Sequence, residues 1–124
     1  ALNVANRVAG FVNANSLFQR VIPYCLDCKV DIEVYNRNRI DLYNKLTDLG
    51  FKCVKPVGAF YMFPQTPIED DVAFCNAAKE FNLLLVPGSG FGCKGHMRLS
   101  YCVSHDTIIN SFPAFEKLAA KFIK

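Results

Sequence analysis

Residues 83–103 (LLLVPGSGFGCKGHMRLSYCV) constrain the fold more than any other stretch of the chain. A short apolar run ends at Pro87, a loop that contains four glycines follows, and a second apolar run begins at Met97. Alternation along that second run puts Arg98 on the face opposite to its apolar neighbours. The pattern predicts two strands, a glycine-rich loop between them, and a planar cation directly after the loop.

The loop sequence GFGCKG at residues 90–95 matches the spacing G-x-G-x-x-G of dinucleotide-binding loops. That motif requires a helix directly after the loop, because the helix N-terminus receives the pyrophosphate. Here a strand-like run follows, and His96 stands where a phosphate-binding loop needs lysine. The loop is therefore not predicted to bind a nucleotide.

Cysteine and histidine spacing raises two other kinds of site. Three pairs have the spacing of zinc ligands, namely Cys93/His96, Cys102/His105 and Cys25/Cys28. Because the last two pairs fall in strand-like and helical patterns, we favour reduced, buried, structural cysteines for all six. Cys93 in its loop could act as a nucleophile, but nothing in the sequence places a base beside it.

Arg98 is the strongest candidate for binding chemistry. Met97, Leu99, Tyr101 and Val103 share one face of the predicted strand, and Arg98 shares the other with Ser100 and Cys102. An arginine in that position can bind a carboxylate through two parallel hydrogen bonds, which lysine cannot do. The alternatives are a solvated arginine or a structural ion pair, for instance with Asp106, and spacing alone gives them equal weight.

Helical periodicity is clearest over residues 31–49, where Gly50 provides the stop. The apolar positions that recur there are Ile32, Tyr35, Ile40, Tyr43, Leu46 and Leu49. Residues 1–28 predict two short apolar helices, separated by a break and cap at residues 13–16 (NANS). The periodic positions of these two helices are Val4, Val8, Phe11, Val12, Leu17, Val21 and Cys25.

Two further helices are predicted in the second half of the chain. Residues 66–69 (TPIE) form a capping box in front of a helix that runs to about residue 82. Its expected inward residues are Val72, Cys75, Ala78 and Phe81. Ser104 should begin a C-terminal helix that Pro113 kinks or splits. The expected inward residues of that helix are Ile108, Phe112, Phe115, Ala119 and Phe122.

Strands are predicted over residues 51–54, 59–63, 83–86 and 97–103. The order of elements predicts an α/β (α+β) two-layer sandwich. Its small mixed sheet has about four strands, its helices lie mainly on one face, and N-terminal helices precede it. We expect residues 1–30 to form these N-terminal helices and residues 31–124 to form the sandwich.

Composition bounds the partners and the location of the chain. The net charge is only +3 and there is no basic run, so nucleic-acid binding is not expected. No stretch reaches the roughly 18 apolar residues of a membrane helix, and no secretory signal is visible, which predicts a cytoplasmic protein. The 52% hydrophobic content and the abrupt apolar opening indicate a piece of a longer chain, with surface that a partner covers.

The segments GFKCVKPVGAFYMFP and LLLVPGSGFGCKGHMRLSYCV, with one helix between them and one after them, resemble the small C-terminal domain of class I/II aminotransferases. These are fold-type I pyridoxal-phosphate enzymes of the aspartate aminotransferase superfamily. The segment YNRNRIDLYNKLTDLGF resembles the long helix that enters this domain. The resemblance runs from about residue 5 to about residue 117, which is nearly the whole chain.

The resemblance implies a role for one residue of this chain. Arg98 matches the arginine of the family's R-[LI]-S-[YF] strand, which binds the α-carboxylate of the substrate. The family reaction moves an amino group from an amino acid to a 2-oxo acid and uses pyridoxal phosphate. Aspartate, or a broad range of amino acids, is the substrate that the resemblance favours.

The resemblance also implies what the chain lacks. In the family, the cofactor's lysine and phosphate-binding residues lie upstream, in a large domain. We therefore expect no catalytic, cofactor-binding or metal-binding residue here, and no activity for the isolated chain. Residues 1–30 would contact the large domain and the second subunit of a homodimer. Two alternatives stay open: a stand-alone α/β module that binds an anionic metabolite, and the small domain of a pyridoxal-phosphate lyase or synthase.

Overall fold

The computed structural model of the 124-residue chain describes residues 1–8 and 15–123. These residues divide into two compact units, Ala1–Val30 and Asp31–Lys124. Four residues to which the sequence assigned a helical or capping role lie outside the described residues, namely Phe11, Val12, Asn13 and Ala14. None of the helices in the described ranges is long and apolar enough to cross a membrane.

The first unit contains helix α1 (Leu2–Val8) and helix α2 (Ser16–Val21), and a 3₁₀ turn over Ile22–Tyr24 follows α2. Asn15 caps α2, because its side-chain oxygen accepts a hydrogen bond from the backbone N–H of Leu17 (2.9 Å). The side chains described in this unit are exposed. The two helices predicted for this unit are therefore present. The apolar residues described there contribute nothing to a buried core.

Helix α3 (Ile32–Asp48) opens the second unit, with Asp31 as its N-cap. Gly50, which has a φ of +91°, terminates the helix two residues after Asp48. The Gly50 N–H donates to the carbonyl of Thr47 and the Phe51 N–H donates to the carbonyl of Leu46, both at 3.0 Å. This pair of hydrogen bonds is a Schellman motif, and it confirms the predicted glycine stop.

The buried stripe of α3 differs from the predicted one. It consists of Asn38, Leu42 and Leu46, while Ile32 is 71% exposed and Ile40 is also exposed. Apolar residues on this helix cover more than one face, so periodicity alone allowed two stripes. Packing against the C-terminal helix selects the stripe that contains a buried asparagine.

Helix α4 (Asp71–Ala78) continues into a 3₁₀ turn over Lys79–Phe81, but it does not begin with the predicted capping box. Asp70 is the N-cap, and its carboxylate accepts from the backbone N–H of Ala73 (2.9 Å). Thr66 instead donates its hydroxyl to the carbonyl of Ile68. A carboxylate is a stronger acceptor at a helix N-terminus than a hydroxyl, so the later candidate prevails. The buried face contains Phe74 instead of Val72, which is 48% exposed.

Helix α5 (His105–Phe122) begins after its N-cap Ser104, as predicted, and it continues through Pro113. Of the kink or split that the sequence predicted at Pro113, the split is therefore wrong. Pro113 is exposed, so the hydrogen bond that it cannot donate leaves a carbonyl near solvent. The buried residues of α5 are Ile108, Phe115, Leu118 and Ala119.

Three short strands form the sheet of the described residues, in the order β1-β3-β2. They are β1 (Tyr61–Met62), β2 (Val86–Pro87) and β3 (Met97–Ser100). Both pairings are antiparallel, so the sheet is not mixed as the sequence predicted. Residues 51–54 form no strand, although the Lys52 carbonyl accepts from the Gln65 N–H (2.8 Å). The α/β fold class is confirmed, with a smaller sheet.

One hydrophobic core joins the inner face of the sheet to the helices of the second unit. From β3 and the residue that follows it, Met97, Leu99 and Tyr101 are all buried. The helices supply most of the remainder, including Leu42, Leu46, Phe74, Ile108, Phe115 and Leu118. This arrangement leaves the opposite face of β3 free of the core.

Candidate functional site

Arg98 lies on that opposite face of β3, the central strand of the sheet. Its neighbours Met97 and Leu99 are buried in the core, and Arg98 itself is half-buried. Ser100 and Cys102, which the alternation places on the same side as Arg98, are exposed. The predicted separation of the arginine from the core is therefore confirmed.

Two aromatic rings contact the guanidinium of Arg98. Its Cζ atom lies 4.4 Å from the centroid of the Tyr61 ring and 4.2 Å from the centroid of the Phe91 ring. Tyr61 belongs to β1, and Phe91 belongs to the loop that follows β2, so the two rings reach Arg98 from opposite sides of β3. Ring faces attract cations, and they hold the guanidinium without using its N–H groups.

The guanidinium of Arg98 forms no hydrogen bond and no ion pair with any residue in the described ranges. The structural ion pair with Asp106 that the sequence left open is therefore not formed. A guanidinium carries five N–H donors, all of which lie in its plane. The aromatic contacts fix the cation and leave these donors available to an anion.

The glycine-rich loop holds Phe91 in a 3₁₀ turn over Gly88–Phe91. The Gly88 N–H donates to the carbonyl of His96 (2.7 Å), and the Cys93 N–H donates to the carbonyl of Gly88 (3.0 Å). A Cβ atom on Gly88 would lie 2.8 Å from the His96 carbonyl oxygen, so a side chain does not fit there. Gly92, with a φ of +72°, ends the turn.

Asp71 attaches this loop to helix α4, and the sequence did not reveal that role. Its side chain is almost fully buried at 2% exposure, and Oδ2 accepts from the backbone N–H of Ser89 (2.7 Å). The sequence placed Asp71 in the first turn of a helix, where it favours the helix dipole. Its hydrogen-bond partner Ser89 lies 18 residues further along the chain, and no local sequence pattern could indicate that contact.

The aromatic partners of Arg98 were also missed, although their residues stood out. Residues 59–63 (AFYMF) were predicted to form a strand, and only Tyr61 and Met62 of them form one. Phe63 contacts the edge of Phe91, with 6.1 Å between the ring centroids. The sequence feature that could have indicated these contacts was an aromatic-rich strand, together with a glycine-rich loop that contains a further aromatic residue.

The cysteine and histidine pairs do not form a metal site in the described part of the chain. No three side chains among its His, Cys, Asp and Glu residues come close enough to share an ion. Only Cys75 is fully buried, so the expectation of six buried cysteines is wrong. The exposed cysteines are Cys25, Cys28 and Cys102, and those of intermediate exposure are Cys53 and Cys93.

Burial changes the acidity of two thiols. It raises the pKa of Cys53 and of Cys75 to about 11, and the nearby carboxylate of Asp71 adds to the effect at Cys75. A thiol must ionise to act as a nucleophile, so both are inert at neutral pH. Neither residue contacts the guanidinium of Arg98, which leaves that cation as the chemical centre of the site.

The clefts of the second unit lie elsewhere. One of about 330 Å³ is lined by the ends of α3 and α5, including Phe51 and Phe122. Another of about 460 Å³ is lined by Tyr35, Arg39 and Tyr101. Arg98 lines neither of these two clefts. A half-buried arginine on one face of a sheet forms one wall of a site, and a closed site would need a second wall.

Comparison with known proteins identifies the family. The model of "Aminotransferase class I and II" matches residues 13–111, which is most of the chain. The chain belongs to the class I and II aminotransferases. The family that the sequence resembled is thereby confirmed.

Individual aminotransferases match over part of their length. A solved amino transferase from Eubacterium rectale superposes with a TM-score of 0.83 and 48% identity over 97% of this chain and 30% of its own. Aspartate aminotransferase from Geobacillus stearothermophilus is 43% identical over 76 residues, which are 54% of this chain and 19% of that protein. Aspartate/prephenate aminotransferase from Thermus thermophilus is 37% identical over 91 residues, which are 72% and 24%. The chain thus spans less than a third of these aminotransferases.

Pyridoxal phosphate, the cofactor that the family implies, is bound through a lysine and an acidic partner of its ring nitrogen. Lys94 is the lysine nearest to Arg98 in sequence, and it pairs with Glu69 (3.2 Å) with its own side chain 72% exposed. No lysine is buried among the residues that the structure describes. These residues do not fit a complete cofactor site in an aminotransferase.

Proposed function

We propose that this chain supplies the substrate-carboxylate side of the active site of a pyridoxal-phosphate-dependent aminotransferase. Arg98 is the residue that would bind the α-carboxylate of the amino acid and of the 2-oxo acid. The observation that carries the proposal is a half-buried guanidinium, held by Tyr61 and Phe91, that has no anionic partner in the described residues. The family membership of the chain supports it.

A carboxylate fits the donors that Arg98 leaves available. Two parallel N–H groups can meet its two oxygens, and this geometry fixes the orientation of the ligand as well as its charge. The Thermus thermophilus aspartate aminotransferase, 36% identical to this chain, was solved with maleate, which carries two carboxylates. That complex supports a carboxylate as the kind of anion for which Arg98 is built.

In this proposal the chain binds and orients the substrate, and pyridoxal phosphate supplies the electron sink for amino-group transfer when bound. Tyr61 and Phe91 keep the guanidinium in one position, so a bound carboxylate would hold the rest of the substrate at a fixed distance. Phe91 is 51% exposed and would exclude water from one side of the bound carboxylate. The chain alone would have no transaminase activity, because none of the lysines that the structure describes is buried in a cofactor site.

The proposal extends to the assembly of the whole enzyme. Apolar side chains of Ala1–Val30 are widely exposed, among them Leu2 at 88% and Leu26 at 75%. We propose that a large domain and the second subunit of a cytoplasmic homodimer cover them. Covering such side chains would contribute about 1.5–3 kcal/mol for each large one.

The test uses the Eubacterium rectale amino transferase, because the match with that enzyme covers 97% of this chain. The matched segment of that enzyme is replaced by this chain, and transamination of aspartate and other amino acids is measured. We expect an active chimera in which Arg98→Ala raises the amino-acid KM by about 30-fold to 900-fold, since breaking a charged pair costs about 2–4 kcal/mol.

Arg37→Ala is the matched control. Arg37 is exposed, and its Nε atom forms a long surface ion pair with Oδ2 of Asp41 (3.8 Å). This variant should leave the KM within about twofold, as such pairs contribute little. An Arg98→Ala chimera that keeps its KM contradicts the assignment. Carboxylate binding by the isolated chain, with no active chimera, would favour a stand-alone anion-binding module.

A further inference from the structure

Asn38 is a polar side chain that is completely buried in the core of the second unit, at 0% exposure. Its amide nitrogen donates to the carbonyl of Tyr101 (3.0 Å) and to the carbonyl of Val103 (2.7 Å). Its amide oxygen lies 3.0 Å from Nδ1 of His105. The side chain thus joins α3 to the segment that connects β3 with α5, and a buried amide is stable there only because these contacts satisfy it.

The two carbonyls belong to the chain just beyond the last residue of β3. Ser100 ends the strand, and the Tyr101 N–H still donates to the carbonyl of Phe60 (3.0 Å). After that point the sheet offers no partner for the carbonyls of Tyr101 and Val103. Asn38 provides both partners, so the segment just beyond the ladder is tied to α3 and the register of Arg98 is fixed from its C-terminal side.

Tyr101 transmits the same constraint to β1. Its hydroxyl donates to the carbonyl of Ala59 (3.0 Å) and approaches that of Gly58 (3.3 Å). Ala59 has a φ of +59°, a conformation that a residue with a Cβ atom adopts only when its surroundings hold it. Tyr61, whose ring contacts Arg98, follows two residues later.

His105 fixes the orientation of the Asn38 amide. Because the amide nitrogen uses its hydrogens on the two carbonyls, the amide oxygen faces His105 and Nδ1 is the donor. The other ring nitrogen, Nε2, lies 3.8 Å from Oδ2 of Asp41. A flipped amide would point its oxygen at two carbonyls, so the orientation is unambiguous.

We propose that Asn38 is a positioning residue for Arg98. Through the Tyr101 and Val103 carbonyls it fixes the strand that bears the arginine, and through Tyr101 it fixes the turn that places the Tyr61 ring. The effect of this positioning on substrate binding rests on the proposed function, in which Arg98 binds the substrate carboxylate. The positioning itself can be measured without any substrate.

The experiment uses nuclear magnetic resonance of the full 124-residue chain. The Tyr61 and Phe91 rings should shift the side-chain Nε–H and Hδ signals of Arg98 away from those of the other arginines. In Asn38→Ala and in Tyr101→Phe, we expect these signals to move towards the values of exposed arginines. Tyr101→Phe removes only the hydroxyl contacts with Gly58 and Ala59, so it decides the question if Asn38→Ala does not fold.

Glu116→Gln is the matched control. Glu116 pairs with Lys45 and so also joins α5 to α3, but it does not contact residues 101–105. It should leave the Arg98 signals unchanged while lowering stability slightly. Folded Asn38→Ala and Tyr101→Phe chains with wild-type Arg98 signals would overturn the proposal. Equal movement of these signals in Glu116→Gln would also overturn it, because any loss of helix packing would then suffice.

The catalytic arm repeats the variants in the chimeric aminotransferase. Displacing a binding group by about 1 Å can cost up to about 100-fold, so we expect Asn38→Ala to raise the amino-acid KM by about 10-fold or more with a smaller change in kcat. If the Arg98 signals move and the KM of both Asn38→Ala and Arg98→Ala stays normal, the positioning holds and the proposed function fails. If the signals stay in place, the positioning role fails whatever the KM.

Discussion

Arg98 and Arg39 are both half-buried arginines of the second unit, and the structure uses them in opposite ways. Arg39 donates from Nε and Nη2 to the side-chain oxygen of Asn36, and from Nη1 to the carbonyl of Pro56 (2.7 Å). The guanidinium of Arg98 donates to no residue that the structure describes and instead contacts the rings of Tyr61 and Phe91.

The comparison distinguishes contacts that only position a guanidinium from contacts that also use its hydrogen-bond donors. Hydrogen bonds to Arg39 position its guanidinium and consume the donors that a ligand would need. Aromatic contacts position the guanidinium of Arg98 by its charge and its flat surface, and they leave every donor available. Burial does not distinguish the two residues, whereas the kind of partner does.

Among the changes that test this comparison of the two arginines, Arg98→Lys in the chimeric enzyme has the largest expected effect. Lysine keeps the charge but has neither the planar pair of donors nor the flat surface, so the amino-acid KM should rise by about 10-fold to 100-fold. The KM is measured for aspartate at fixed 2-oxo acid. Arg37→Lys serves as the control and should change nothing. A lysine variant with a KM within about threefold of the wild type would mean that Arg98 acts by charge alone.

Arg39→Met should show the reverse pattern. It keeps an apolar stem but removes donors from the Asn36 oxygen and the Pro56 carbonyl, so the free energy of unfolding should fall by about 1–3 kcal/mol. Urea unfolding of the isolated chain measures this loss. The carboxylate should still bind to the chimera with a normal KM. A raised KM without a loss of stability would show that Arg39, too, contacts the substrate.

Phe91→Leu tests the aromatic contact itself, with a smaller effect. A cation over an aromatic ring gains about 0.5–1 kcal/mol, so the amino-acid KM should rise by about twofold to fivefold. Phe60→Leu is the control, since Phe60 is an exposed ring that contacts Tyr61 but not Arg98. It should change the KM less than Phe91→Leu does, and the opposite order would argue against a direct role for the Phe91 ring.

Alkaline pH offers a test that changes no residue near the site. Because burial raises the pKa of Cys53 and Cys75 from 9.0 to about 11, these thiols stay protonated in the folded chain while those of the unfolded chain ionise. Stability should therefore fall as pH rises from about 9 to 11 and be unaffected by these thiols below pH 9. Thermal unfolding of the wild type and of the Cys53→Ala/Cys75→Ala variant measures the difference.

A guanidinium group is not deprotonated in proteins, so it can still bind an anion at alkaline pH. Binding of maleate to the folded chain, measured by the Arg98 side-chain signals, should therefore persist up to the pH at which the chain unfolds. Binding that disappears while the chain is still folded would identify another titrating group at the site. The double alanine variant should extend the range of folding without changing the affinity.

Much of the site's scaffold follows from the sequence because its signals are local. Strict alternation separated Arg98 from Met97 and Leu99, and one glycine was enough to place the end of α3 at Gly50. The strand period of 2 residues and the helix period of about 3.6 residues can be read without knowledge of the rest of the molecule. The family resemblance then gave Arg98 its expected ligand, which periodicity could not do.

The features that the sequence did not reveal depend on distant partners. The α4 cap moved from Thr66 to Asp70, since two local motifs competed and the stronger acceptor formed the cap. Tyr61 and Phe91 meet at Arg98 only because β1 and β2 flank β3 in the sheet. The buried stripe of α3 includes Asn38 for a similar reason: its partners lie 63 and 65 residues away.

The hydrogen-bonded loop that bears Phe91 has a thermodynamic consequence. A loop so rich in glycine would ordinarily sample many conformations, and a ligand that ordered it would lose affinity to that lost entropy. Here the bonds at Gly88 and the attachment of Ser89 to Asp71 order it during folding. Carboxylate affinity at Arg98 should thus depend weakly on temperature-driven loop motion, and the aromatic wall should be as rigid without substrate as with it.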